Sequence, residues 1–293
     1  MTEFQEKKSK QVKFSYDVKH RNWVGDGFYV HGLLRPTEEL NPYISPFILM
    51  DYASPKNFSK TSQRRGVGEH PHRGFETVTF AYQGGVEHRD SSGGGGTIKS
   101  GDVQWMTAGS GIVHEEFHSA VFSREGGIFE MVQLWVNLPK KHKMTSPKYQ
   151  GIVNQDIPRV ELGQGTELRV IAGEFNGEKG PSETYTPINV WDISSKEGQD
   201  ISLSFKAGTN TVILIMSGDI ELRQKRFEEQ NVLIFDQKGE TINFKASNHF
   251  KALILNGEPI DEPIFAHGPF VMNTKQEITE AIDDYENGKM GHL

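Results

Sequence analysis

Two short segments constrain this chain most. Gly68-Glu-His-Pro-His-Arg-Gly-Phe-Glu76 carries His70 and His72, and Gly109-Ser-Gly-Ile-Val-His-Glu-Glu116 carries His114 and Glu116. Each pair has the spacing i, i+2, which on a β-strand sends both side chains to one face. If the two strands line one barrel, three imidazoles and a carboxylate converge. That donor set suits a divalent first-row metal. Pro71 fixes one backbone angle and removes one ladder donor, so the first pair belongs on an edge or bulged strand.

The rest of the sequence agrees with an all-β architecture. Glu76-Thr-Val-Thr-Phe-Ala-Tyr82 is β-branched and aromatic and ends at the turn Gln83-Gly84-Gly85. Thr97 to Met106 reads as strand, turn at Ser100-Gly101-Asp102, strand. Phe129-Glu-Met-Val-Gln-Leu-Trp-Val136 has period 2. Four glycines, Gly93 to Gly96, read as a mobile hairpin loop and not a phosphate cradle, because no helical pattern follows. Short strands with glycine turns at this density predict sandwiches or small barrels.

Composition narrows the chemistry. The chain of 293 residues has no cysteine, so disulfides and thiolate ligands are excluded. A formal charge of −7 argues against nucleic-acid binding through phosphate neutralisation. No apolar run approaches the ~20 residues of a membrane span, and Met1 to Lys13 is polar and lysine-rich, without a secretory signal. The expectation is a soluble cytoplasmic protein with a short frayed N-terminal tail.

Between the prolines of Asn137-Leu-Pro-Lys-Lys-His-Lys-Met-Thr-Ser-Pro147 lies a basic polar run, read as a solvated linker. This divides the chain into an N-terminal metal-binding domain (1–138), a linker (139–149) and a C-terminal domain (150–293). Asn210-Thr-Val-Ile-Leu-Ile-Met-Ser-Gly-Asp-Ile-Glu221 resembles Glu76 to Glu87, which indicates an internal repeat. The Ile201-Ser-Leu-Ser-Phe205 region, where the repeat would need its histidine pair, has none, so one metal per chain is expected. Thr274-Lys-Gln-Glu277 is a capping box. Ile278, Ala281, Ile282 and Tyr285 follow at helical spacing, which predicts a C-terminal helix packed on a barrel.

The order of these motifs matches the cupin superfamily, and more specifically the chain resembles pirins. The residues that carry the resemblance are His70-Pro-His-Arg-Gly-Phe-Glu-Thr-Val78, Gly101-Asp-Val-Gln-Trp-Met-Thr-Ala-Gly109, Gly111-Ile-Val-His114, Gln133-Leu-Trp-Val-Asn-Leu-Pro139 and Gly268-Pro-Phe-Val-Met-Asn-Thr274. They span nearly the whole chain. The resemblance implies a bicupin: two tandem cupin-type β-barrels, the first with one metal and the second with none. It implies His70, His72, His114 and Glu116 as ligands and Fe(2+) as the metal, with nickel, manganese, copper, cobalt and zinc as further candidates. Glu76, a ligand in many cupins, is kept as the alternative fourth ligand. Gly66-Val-Gly-Glu69 departs from the commoner pirin pattern, which bears on substrate preference.

Two functions follow from the resemblance. The first is a dioxygenase that opens a flavonol such as quercetin with O2, with Glu116 or Glu76 as the base. The alternative is an iron-dependent regulatory protein that binds a protein partner without turnover. A barrel with a merely structural metal is a third reading. Other residues are given plainer roles. His118 is expected to overshoot the site, His88 and Asp90 to form a hydrogen-bonded turn, and Phe47 to Met50, Trp105 and Trp135 to belong to the core.

Overall fold

The computed structural model describes residues 9–163 and 165–293. The chain is all-β apart from short helical turns and one longer helix, Lys275–Glu286. Among the described residues no helix is long and apolar enough to cross a membrane.

Two compact units are present, and neither is one contiguous stretch. One comprises His20–Arg35, Phe47–Asn154 and Ile260–Leu293; the other comprises Met1–Lys19, Pro36–Pro46 and Gln155–Pro259. This corrects the contiguous boundaries drawn from sequence. The segment 139–149 is not a linker: Lys140–His142 forms a 3-10 turn, and Lys148–Ile152 pairs with Val103–Thr107 as a strand of the first unit. Lys143, expected in solvent, is buried and donates to the carbonyls of Gly74 and Val271 and to Asn137 Oδ1, each at 2.8 Å. Charge alone suggested solvation, but three acceptors at one point make the buried ammonium a tie between three segments.

In the first unit, seven strands run Lys148–Ile152, Val103–Thr107, Phe75–Gln83, Gly127–Asn137, Phe47–Phe58, Phe28–Leu34, Asn22–Val24. A second sheet runs Gly66–His72, Ile112–His118, Gly85–Asp90, Gly95–Lys99. The strand that contains Pro71 is at an edge, where a missing donor costs least. Phe28, Phe58, Val86, Phe122, Phe129 and Met131 belong to one apolar cluster of this unit. Phe47, Ile48, Met50 and Trp105 are buried, as expected of core residues.

The glycine stretch is more ordered than the sequence suggested. Gly95 already begins a strand, and Asp90 Oδ1 accepts from Ser92 N at 2.9 Å and Gly94 N at 3.0 Å, which closes the turn.

The other unit repeats this plan strand for strand. Its large sheet runs Val12–Asp17, Asn231–Phe235, Asn210–Ser217, Phe250–Gly257, Ile188–Ser195, Thr166–Ala172, Arg159–Gly163, and its small sheet Gln199–Ser204, Thr241–Ala246, Asp219–Leu222, Lys225–Glu228. Asn210–Ser217 thus has the place that Phe75–Gln83 has in the first unit, and the turn glycines Gly84 and Gly218 both take positive φ. Where the first unit carries histidines, this one carries Ile201, Leu203, Ile242 and Phe244, all within its apolar core.

Met1 to Lys8 of the expected N-terminal tail lie outside the described residues. The remainder is not frayed: Lys10 is buried and donates to the Thr209 carbonyl at 2.7 Å. The helix Lys275–Glu286 begins at the expected capping box, with Thr274 and Glu277 each bonding the other's backbone. It belongs, however, to the histidine-bearing unit. There Ile278, Ala281 and Met290 pack with Val113, Phe270 and Met272.

Candidate metal centre

The strands Gly66–His72 and Ile112–His118 run antiparallel, with His70 opposite His114 and His72 opposite Ile112. The register then shifts: Glu116 faces Val67, so Gly68 and Glu69 stand against Glu115 alone. This is a β-bulge, the device that re-aims side chains at a sheet edge. The rings of His70 and His114 have centroids 4.2 Å apart, His72 and His114 4.8 Å, and His70 and His72 4.9 Å. One nitrogen from each of the three lies within 4.8 Å of the others. His72 and His114 are buried, and His70 is half-buried at the open side.

The hydrogen-bond inventory of these rings is incomplete in an informative way. His70 Nδ1 lies 2.8 Å from the Gly68 carbonyl, which takes its proton and leaves Nε2 as a lone pair. His72 Nδ1 and His114 Nε2 are buried without a hydrogen-bond partner. Burial, and then the neighbouring imidazoles, hold His72 and His114 well below the usual histidine range, so both are neutral at neutral pH. Unpartnered buried nitrogens are costly. A cation among three lone pairs satisfies them, and three imidazoles with a carboxylate and no thiolate fit a divalent metal.

Glu116 lies further along the same strand. Gln104 Nε2 donates to its Oε1 at 2.6 Å, and the Thr79 hydroxyl lies 3.2 Å from the same atom. Donor atoms of Glu116, His114 and His88 lie within 4.8 Å of one another. His114 is therefore common to two groups, His70/His72/His114 and His88/His114/Glu116.

His88 and Asp90 form the expected hydrogen bond, 3.1 Å from Nε2 to Oδ2. They are more than a turn. His88 lies opposite Glu116 on the neighbouring strand, its Nδ1 is 3.2 Å from His114 Nδ1, and its ring stacks on Tyr149 with centroids 5.0 Å apart. Both side chains are fully buried. A signal was available: His88 and Asp90 are a third pair at i, i+2, immediately after the Gly84-Gly85 turn. Asp90 is itself held below the usual carboxylate range. Burial pushes it up, but hydrogen bonds from His88 and Ser92 outweigh that.

Glu76 belongs to neither group. It alternates away from Thr77 and Thr79 on its strand, and its Oε1 accepts from the Thr107 hydroxyl at 2.8 Å. Burial raises it to about 7. The structure therefore does not bring Glu76, expected as an alternative fourth ligand or base, together with the histidines. His118 points along the ligand strand but ends among Phe28, Phe58, Phe122 and Phe129, with Nε2 2.8 Å from the Gly27 carbonyl. Burial lowers it to about 4. Trp105 is core, whereas Trp135 is only partly buried. Its ring lies 4.3 Å from Phe75 and 5.2 Å from His72, so it flanks the histidines.

The chain is similar to known proteins over nearly its whole length. The Pirin family model matches residues 31–136, and that of the Pirin C-terminal cupin domain matches residues 190–291. A Pseudomonas aeruginosa protein named "Putative quercetin 2,3-dioxygenase" is 49% identical over 281 residues, covering 96% of this chain and 98% of its own. Pirin-1 of Arabidopsis thaliana is 39% identical over 275 residues, covering 91% of this chain and 90% of its own. The crystal structure of a quercetin 2,3-dioxygenase from Acinetobacter baumannii superposes with a TM-score of 0.93 at 52% identity, covering 97% of this chain and 99% of that one. The histidine-bearing barrel and its apolar repeat are thus the two halves of a bicupin, and the chain belongs to the pirin family.

Proposed function

We propose that this protein is a metal-dependent dioxygenase that uses O2 to open a flavonol, with quercetin as the model substrate. His70, His72, His114 and Glu116 are the proposed ligands, and Fe(2+) is the proposed metal. The observation that carries the reading is the pair of buried, unpartnered nitrogens, His72 Nδ1 and His114 Nε2, on neutral rings beside His70. The names carried by relatives at 49% and 52% identity support the reaction class.

A divalent ion held by His70, His72, His114 and Glu116 would supply a Lewis-acidic centre that lowers the pKa of a substrate hydroxyl. The chain supplies the rest. Glu116 is the group to take the hydroxyl proton, because its carboxylate shares a group of close donor atoms with His114, which also belongs to the three-histidine group. Gln104 and Thr79 orient it through the same oxygen, Oε1. Trp135, only partly buried, lies against His72 and offers an aromatic face to a planar substrate, with the buried Phe75 packed against it. The half-buried His70 marks the side from which substrate enters, since His72 and His114 are buried.

The test combines metal analysis with turnover. Protein purified without a metal-affinity tag should contain one equivalent of transition metal, and should consume quercetin in air but not anaerobically. A metal-replete protein that leaves quercetin intact under air rules out this activity, and a protein that takes up no divalent metal rules out the centre itself.

A further inference from the structure

Asp90, His88 and His114 form a chain of three buried side chains that ends on the unpartnered Nε2 of His114. Asp90 Oδ1 accepts from Ser92 N, the Ser92 hydroxyl and Gly94 N at 2.9, 2.6 and 3.0 Å, which fixes the carboxylate. Its other oxygen lies 3.1 Å from His88 Nε2. A carboxylate only accepts, so in neutral His88 the proton is on Nε2 and the lone pair on Nδ1. That lone pair faces His114 Nδ1 at 3.2 Å. Two lone pairs do not hold each other, so His114 donates from Nδ1 and its own lone pair moves to Nε2. This nitrogen is buried without a hydrogen-bond partner. A proton there would be an orphaned buried donor. Stacking on Tyr149 keeps the His88 ring in the plane the relay needs.

We propose that Asp90 and His88 are positioning residues that set the tautomer of His114, so that its Nε2 presents a lone pair to the metal before metal arrives. The inference rests on the reading of His114 as a ligand. It gives His88 a role other than direct ligation, although His88 also lies within reach of His114 and Glu116. Outer partners of this kind fix ring orientation and ligand basicity.

The test uses the full-length, metal-free protein. Long-range proton–nitrogen NMR of the 15N-labelled chain reports which ring nitrogen of His114 carries the proton. The wild type should show Nδ1–H. Asp90→Asn should invert the relay: the amide donates to His88 Nε2, His88 then donates from Nδ1, and His114 is protonated on Nε2. Affinity for Co(II), measured by chelator competition, should fall by roughly 10–100-fold in Asp90→Asn and in His88→Phe. His88→Gln, whose carbonyl can accept from His114 Nδ1, should stay within a few-fold of wild type. An unchanged His114 tautomer in Asp90→Asn overturns the proposal, as does a His88→Gln variant as weak as His88→Phe. Should the wild type bind no Co(II), the metal reading fails, while the tautomer measurement still decides the relay.

Discussion

Arg73 Nη2 lies 2.9 Å from Asp284 Oδ2, which ties the residue after His72 to the C-terminal helix. Arg73 Nε also donates to the Ser110 carbonyl at 2.7 Å, and Arg73 N to that of Pro269 at 3.3 Å. The end of the ligand strand is therefore gripped by residues far away in sequence. Asp284→Asn should lower the melting temperature modestly. The acid is partly exposed and the pair is screened, so about 1 kcal/mol is at stake, or ~1–2 °C in a chain of this size. Hydrogen bonds from Lys289 and Arg73 hold Asp284 below the usual range. Its contribution is thus present above the unfolded carboxylate value near 4 and is lost as pH falls through the lower folded value. Melting curves of wild type and variant should converge in that acid window and separate at neutral pH.

His72→Ala and His114→Ala should each lose most bound metal and any flavonol consumption while the barrel stays folded. The unit has its own apolar clusters and does not depend on a metal as a zinc finger does. Circular dichroism checks this, and a collapsed spectrum in either variant would mark the metal as structural.

Glu116→Gln and Glu76→Gln should part company. The first removes a carboxylate beside His114, so metal affinity drops, and turnover stays absent when metal is restored, because an amide takes no proton near neutral pH. The second should leave metal content intact and act on stability. Glu76 is raised to about 7 by burial, so the fold holds its proton more tightly than the unfolded chain does. That contribution is present below the unfolded value near 4.3 and is lost as pH rises through about 7. Glu76→Gln should therefore flatten the decline in stability between acid and mildly alkaline pH. A Glu76→Gln protein stripped of metal would return Glu76 to the ligand set.

Lys143→Met should destabilise the histidine-bearing unit by about 3 kcal/mol, since it strands three buried acceptors at once. Denaturant unfolding measures it. A change below about 1 kcal/mol would show that water or a neighbouring donor replaces the ammonium. Because Gly74 stands two residues after His72, a drop in metal content should accompany the loss.

Local chemistry made much of this protein legible in one dimension. The spacing of His70, His72, His114 and Glu116 required strands with one face in common, because side-chain alternation is a property of the backbone. Pro71 marked an edge, Gly84 and Gly218 marked equivalent turns, and Thr274 with Glu277 marked a helix start, each for reasons contained within a few residues. What the tertiary structure decided concerns partners distant in sequence. Whether Lys143 is solvated depends on three acceptors on Gly74, Asn137 and Val271. Whether Glu76 faces the histidines depends on the face its strand turns toward the ligand strand, which a motif match does not specify. Which unit receives Lys275–Glu286 depends on where its apolar face finds cover, and amphipathic spacing alone leaves that open. His88 became part of the site only when its strand paired with Ile112–His118 and set it opposite Glu116. Strand pairing is a long-range choice among many registers, and the packed barrel selects the one that buries the apolar face and brings the donors together.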